Sequence, residues 1–427
     1  SGDEHATAAA DVRRLKVEFD RRVAEARAVF FEWRLVEARH DPRALSAVYD
    51  ELRAQLGQKR PRGGRGTAHV WRTLSTPDGR RVVGDAIAAE LEAQVAEAFK
   101  YDADDPRFDA EAAAALEREA AGIRRSPALA AECAAPSYED GGEDIYAEDV
   151  ADAKRSVKFQ KVPHPNDGVV PEALVYGGPV LDRALALAFT FVLRMGLVPA
   201  DWLSGAMRCV YKRGCSTVFT NFRGVVLTGH IAKLFERVLL KRLLRVAGGV
   251  DEAQAVANAP VDCRCQLHLL YDVVLANYGR VWLMALDITR GFPSTSRALT
   301  VTALRRHGVG GRLLRAIIGL IHGTSVVVGL RPGVDTNRVK LLVGLLEGAV
   351  LSPALFAFAC SGLLRALRES GLGVRLGQVH IPALMLMDDL VLFARNRAEL
   401  GAMAAVVFEW CWKNRFVLAL AEKSHIL

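Results

Sequence analysis

The chain has 427 residues, 51% hydrophobic and 25% charged, a globular composition with length for about three domains rather than a disordered polymer. Lys and Arg number 56 against 49 Asp and Glu, and the resulting +7 favours an acidic partner such as nucleic acid. No apolar run reaches the ~18 residues of a membrane span, no signal peptide is present, and seven scattered cysteines point inside the cell, to nucleus or cytoplasm, rather than to a disulfide framework.

In chain order, Val12, Leu15, Phe19, Val23, Ala26, Phe30 and Trp33 mark a helical stripe. "GQKRPRGGRG" (57–66) breaks it as a basic loop. Ile87, Leu91, Val95 and Phe99 after Asp85 predict a capped amphipathic helix. Residues 1–101 therefore read as a helical N-terminal extension. Residues 102–143 are acidic, Ala-rich and poor in large apolar side chains, and read as a linker with one short helix. An apolar helix around Val180–Leu193 should end at "GLVPADW" (196–202). "RVWLMALDI" (280–288) is the short continuous run of a strand buried on both faces. "TSVVVGL" (324–330) is a second strand. Ser352-Pro353 suits a helix start, with Phe356, Cys360, Leu363, Leu364 and Leu367 along one side. "PALMLMDDLVLFA" (382–394) reads as two apolar strands joined by a tight turn at Asp388-Asp389. Cys263 and Cys265 have no matching second pair, so no zinc site is expected.

Three carboxylates stand out. Asp287 ends a buried strand, and Asp388 and Asp389 interrupt an apolar hairpin, where unpaired charge is costly. A turn aspartate and a helix cap would be one account. The other is a metal site, since neighbouring strands lie about 4.8 Å apart and carboxylate oxygens suit Mg²⁺ with substrate phosphates.

Order and company favour the second account. "CVYKRGCSTVFTNFRGVVLTGHIAKLFERVLLKRL" (209–243), "LDITRGF" (286–292), "GLLEGAVLSPALFAF" (344–358), "LMDD" (386–389) and "LALAEKSHIL" (418–427) follow one another as polymerase motifs do. Upstream stand "PNDGVVPEAL" (165–174), "GLVPADW" and "TPDGRRVVGDAIAAELEAQVAEAF" (76–99). Together they resemble the reverse transcriptase of non-LTR, LINE-type retrotransposons over nearly the whole chain. The resemblance implies an α+β polymerase right-hand fold, fingers and a ferredoxin-like palm, behind a helical extension. Leader and fingers would span 144–280 and the palm 281–427, with thumb and endonuclease lacking from this fragment.

The resemblance also implies roles. Asp287, Asp388 and Asp389 would hold two Mg²⁺ ions, with Mn²⁺ as a substitute. Phe292 would screen the sugar 2′ position of an incoming dNTP. Lys212 and Arg223 would contact its triphosphate, Glu347 and Gly348 would lie under the nascent base pair, and Lys423 would protonate pyrophosphate. RNA template and DNA primer would be the partners, with no membrane and no protein partner indicated. Several neighbours depart from the family pattern: Val256, Ala257 and Asn258 replace Gly-Phe-Arg, Pro293 an acid, Glu347 a Gln, Leu386 and Met387 an aromatic-Ala pair, and Ala419 an Asn. These departures carry the alternative, a catalytically decayed RNA-binding or scaffold protein on the same fold. An RNA-dependent RNA polymerase fits "EGAVLSP" and Phe292 less well, and a group II intron maturase fits the leader less well.

Overall fold

The computed structural model describes residues 70–100, 102, 105–159, 161, 168–212, 214–255, 263–277, 280–331, 334–419 and 425–426. The stripe at 12–33, the basic loop, residues 256–258 and Lys423 lie outside them. The chain divides into two compact units, one of residues up to 88, 144–238 and 327–337, the other of 89–143, 239–326 and 338–427. Helices and mostly antiparallel sheets make the protein α+β.

In the first unit, the helix Gly178–Met195 stops where expected. Gly196 adopts φ +66° and its N–H reaches the Val192 carbonyl at 2.8 Å, a left-handed cap that glycine adopts without steric cost. Phe189 on this helix packs on Phe235 at 5.1 Å and on the edge of Trp202 at 5.8 Å. Strands Ser204–Tyr211 and Phe222–Leu227 pair antiparallel, Ala206 opposite Leu227 and Tyr211 opposite Phe222. Residues 73–83 correct the helical expectation. Thr73–Ser75 and Arg81–Val83 form a two-stranded ribbon whose turn holds Gly79 at φ +87°. The Pro-Asp-Gly run after Thr76 is turn chemistry and prevails over the neighbouring helix pattern.

The second unit is built on a six-stranded sheet. Its strands are β1 (Gln254–Ala255), β2 (Trp282–Thr289), β3 (Ala383–Leu386), β4 (Asp389–Ala394), β5 (Val417–Leu418) and β6 (His425–Ile426). The spatial order is β5-β2-β4-β3-β1, with β6 also on β2, and only β1 runs parallel to its neighbour. Burial of β2 deepens along the strand, from exposed Trp282 to buried Leu286, Asp287 and Ile288, so only its last turn is covered as predicted. Side chains alternate along the ladder. One face carries Leu384, Val391, Phe393 and Leu283 against Val273 of a helix over Cys263–Ala276.

Helices supply the rest of the core. Taking them in order, we number α1 (Ala86–Ala98), α2 (Ala110–Arg125), α3 (Pro127–Ala134), α4 (Cys263–Ala276), α5 (Arg297–Arg306), α6 (Gly311–His322), α7 (Ser352–Glu369) and α8 (Arg397–Asn414). Leu91 and Val95 along α1 and Phe99 just past its end are buried as the four-residue spacing requires, and so are Phe356, Cys360, Leu363, Leu364 and Leu367 of α7. The α7 start differs by one residue. Leu351 is the N-cap without a side-chain bond, and Ser352 is already helical and buried.

The 102–143 segment is not a linker. It holds α2 and α3, which pack on α5 and α6. Asp109 caps α2 through Oδ1 to Ala112 N–H at 2.9 Å. Glu132 receives a fork of hydrogen bonds from Arg305 and another from Gly311 N–H at 2.8 Å. The buried residues of this pair are mostly small, Ala113, Ala120, Leu129 and Cys133. Small side chains let helix backbones approach closely, which is why a scarcity of large apolar residues did not mean a scarcity of contact.

Candidate active site

The site begins where β2 and β4 end together. Asp389 lies directly opposite Asp287 in the antiparallel register, followed by Leu390 opposite Leu286 and Val391 opposite Ala285. Directly opposed residues project to one face with Cβ atoms about 4.5–5.5 Å apart, and like charges so placed repel. The pair therefore terminates an otherwise apolar face with an electrostatic cost. Asp287 is 6% exposed, whereas Asp388 is half-buried and Asp389 exposed.

The hairpin tip is shifted by one residue from expectation. Leu386 pairs with Asp389, so the two turn residues are Met387 and Asp388, and Asp389 opens β4. Met387 sits at φ +56°, a position that two-residue hairpins usually give to Gly or Asn. A left-handed side-chain-bearing residue costs about 1–2 kcal/mol and persists only where surroundings impose it. The surroundings are specific. Ile288 N–H donates to the Asp388 carbonyl at 3.0 Å, and Ala419 N–H donates to the Asp287 carbonyl at 2.9 Å. Gln254, fully buried on β1, donates from Nε2 to the Met387 carbonyl at 3.4 Å.

The segment after Asp287 folds back over the tip. A Cβ on Gly291 would stand 3.2 Å from Asp388 Cβ and 3.1 Å from the Phe356 ring, so glycine here lets the two segments touch. Phe292 stacks obliquely on buried Phe356 with centroids 5.3 Å apart. The 344–348 loop is laced to the same segment. Leu345 N–H reaches the Phe292 carbonyl at 2.8 Å and Gly344 N–H the Thr295 carbonyl at 3.0 Å. Gly344 has φ +89°, and a Cβ there would fall 2.4 Å from the Pro293 carbonyl oxygen. Half-buried Glu347 and exposed Gly348 follow directly. Beneath this loop Arg297 is buried, and loss of hydration pushes its guanidinium down to about 10. It donates to Thr324 Oγ1 at 2.8 Å and to the Gly344 carbonyl at 3.4 Å, pinning the loop from below.

Three predicted segments thus meet, carrying Asp287 with Phe292, Glu347 with Gly348, and Asp388 with Asp389. Lys212 and Arg223 belong to the other unit. Lys212 N–H bonds to the Asn221 carbonyl and Arg223 lies opposite Val210, so the two exposed cations are diagonal neighbours on one face of their hairpin. Sequence reasoning missed Gln254, Gly291 and Arg297. A Gly one residue before Phe292 was the available signal for close approach, and nothing in the sequence marked the other two.

Among the described residues, no group of three or more His, Cys, Asp or Glu side chains is gathered as a ready-made metal cluster. The donor chemistry nonetheless fits magnesium, which takes one or two carboxylates and leaves its other positions to water and substrate phosphates. Two opposed carboxylates at a strand end satisfy that requirement.

The family described as "Reverse transcriptase (RNA-dependent DNA polymerase)" matches residues 210–427. The retrovirus-related Pol polyprotein from type-1 retrotransposable element R2 of Popillia japonica is 27% identical over 237 residues, 54% of this chain and 33% of that protein. Its counterpart from Nasonia vitripennis is 24% identical over 237 residues, 52% of this chain and 22% of that protein. The chain therefore spans a third or less of these relatives.

Proposed function

The chain belongs to the reverse transcriptase (RNA-dependent DNA polymerase) family, and from that premise we propose that it works as the RNA-directed DNA polymerase of a non-LTR retrotransposon. The observation that carries this reading is the opposed Asp287–Asp389 pair with Asp388 at the adjoining turn. We assign the leader and fingers of a right-hand polymerase to 144–280 and the palm to 281–427. The compact unit that holds most of the palm also takes in residues 89–143 and 239–280, and residues 327–337 belong to the other unit. Its work would lie inside the cell, on an RNA template and a DNA primer. Among the described residues no helix is long and apolar enough to cross a membrane.

Asp287 and Asp388 would hold Mg²⁺, with Asp389 as the third acid. Bound there, the cations would supply charge stabilisation to the attacking 3′-oxygen and the departing oxygen of an in-line phosphoryl displacement. The chain's own residues supply position. Phe292, braced by Phe356, would present a flat wall to the sugar 2′ carbon and so select dNTPs. Lys212 and Arg223, on one face of their hairpin, would hold the triphosphate, Lys as a compact charge and Arg as a planar fork. Glu347 and Gly348 would support the nascent pair, and Lys423 would pass a proton to pyrophosphate. Catalysis of this kind is mostly positioning and electrostatics.

Primer extension on an RNA template with dNTPs and Mg²⁺ tests the reading. The parent should extend, Asp388→Ala should not, and both should bind template–primer alike, with affinity falling steeply as salt rises. Extension that survives Asp388→Ala overturns the assignment of the acids. A parent that binds RNA but never extends is the decayed, RNA-binding protein instead.

A further inference from the structure

A glutamine reaches the hairpin tip from the edge of the same sheet, within the second unit. Gln254 is fully buried on β1, opposite Met385 of β3, and its Nε2 donates to the Met387 carbonyl at 3.4 Å. The other half of the amide is unanswered. Its Oε1 is buried and meets no hydrogen-bond donor among the described residues. Methionine would fill much the same space without that cost, since a polar atom buried unmatched is unfavourable. A side chain that costs the fold something and still holds one carbonyl points to a task at that carbonyl.

Gln254 stands on a firm mount. Ala253 N–H bonds to Asp251 Oδ1 at 2.9 Å and Gln254 N–H to the Asp251 carbonyl at 2.8 Å, a turn that launches β1. Asp251 accepts a fork from Arg368 of α7, one prong at 2.6 Å. The Ala253 carbonyl accepts from Met385 N–H at 2.8 Å, which fixes β1 against β3 just before the tip. The Met387 carbonyl and the Asp388 N–H belong to one rigid peptide plane. Gln254 holds that plane ahead of Asp388, and Ile288 N–H, on the carbonyl of Asp388 at 3.0 Å, holds the plane behind it. With both planes held, the direction of the Asp388 Cα–Cβ bond is set. Release the first, and the left-handed turn at Met387 (φ +56°) has a route to relax. At 3.4 Å the bond is long, so it contributes direction more than stability.

We propose that Gln254 is a positioning residue of the candidate site: by holding the peptide ahead of Asp388 it fixes the direction of the carboxylate that would share a cation with Asp287. Groups at such sites must stay within about 0.5 Å of their productive geometry, and side chains behind them supply that precision. A loosened turn would therefore weaken cation binding before it weakened the fold. The proposal deepens the polymerase reading and rests on it for the metal, but the hold on the turn is testable without turnover.

Gln254→Met keeps the length and bulk of the side chain and removes the donor. Mn²⁺ binding to the intact protein, followed by electron paramagnetic resonance of the free ion, should weaken about tenfold in this variant. The half-saturating Mg²⁺ for primer extension should rise by a similar factor, and kcat should fall while KM for dNTP holds. Melting temperature should hold or rise, because the unmatched Oε1 is gone. Gln254→His, whose Nε2–H reaches about as far, should recover part of the loss. Deuterium uptake over residues 384–394 should quicken in Gln254→Met and stay unchanged elsewhere. Where Asp388→Ala abolishes Mn²⁺ binding, equal affinity in the parent and Gln254→Met overturns the proposal. So does a fall in melting temperature large enough to account for the lost activity, since Gln254 would then serve the fold. Mn²⁺ binding that Asp388→Ala leaves untouched sinks the metal assignment alone. Deuterium uptake then decides the matter, and unchanged uptake over 384–394 overturns the hold on the turn. A parent that never extends, but whose Mn²⁺ binding weakens in Gln254→Met, sinks the polymerase reading and leaves this inference standing.

Discussion

The end of the β2–β4 ladder and the α2–α3 pair spend stability in opposite ways. At the ladder end, like charges face each other, Met387 holds a left-handed turn, and a glycine is required for two segments to touch. The helix pair is tied to its neighbours by complementary groups: Glu132 answers Arg305 and Gly311 N–H, Glu119 answers Arg306 at 3.0 Å, and His322 Nε2 answers Arg124 at 2.7 Å. The first region holds like charges in register at a strand end. The second is built on complementary pairs, and so holds the scaffold.

That contrast predicts which substitutions alter activity and which alter stability. The largest effect should come from Asp287→Asn, which removes the carboxylate proposed to hold metal without changing its shape. Extension should fall by about a thousandfold or more, equivalent to about 4 kcal/mol, while melting temperature holds or rises because an opposed charge is gone. A large drop in melting temperature would mean that the acid serves the fold.

On the helix side, His322 should impose a pH dependence. Burial lowers its imidazole to about 4 from an ordinary 6.5, and Arg124 and Arg297 press the same way. The folded form resists protonation, so the stability held by neutral His322 is complete above pH 6.5 and is lost as pH falls toward 4. The loss should reach about 2–3 kcal/mol. Melting curves of the parent and His322→Gln across pH 4–7 should converge at the acid end, and parallel curves would remove His322 as the cause.

Glu132→Gln breaks a charge-assisted fork and leaves Arg305 with a weaker acceptor. It should cost about 1–2 kcal/mol in urea denaturation, with extension per folded molecule unchanged. Activity lost with stability intact would erase the contrast between the regions. The smallest effect should be that of Met387→Gly, which relieves the turn and should gain up to about 1 kcal/mol. Its looser tip should lower extension severalfold.

The two regions also differed in how far the sequence revealed them. Asp287, Asp388 and Asp389 were visible because charge inside an apolar run contradicts its surroundings, and their convergence followed from strand spacing. The turn was misplaced by one residue because Asp388-Asp389 has the composition of a turn, whereas the ladder pairs Asp389 with both Leu386 and Asp287. Helices α2 and α3 were hidden by their own packing, since alanine carries little hydropathic signal wherever it sits. Arg297 and Gln254 act through main-chain carbonyls far away in sequence, a kind of partner that no spacing rule reveals.

The register of β2 has a consequence for the order of assembly. Asp287 meets its partner about a hundred residues later, at Asp389, and β1 waits longer still for β3. During synthesis α2 and α3 emerge well before the sheet, marginal as isolated helices because they are short, and their partners α5 and α6 follow some 170 residues behind Glu132. Pairings of such long range make folding slow. The helical scaffold can close before the last strands leave the ribosome, whereas the acids can meet only after β4 is made. A nascent chain arrested before Asp389 would therefore lack the opposed acids of the site.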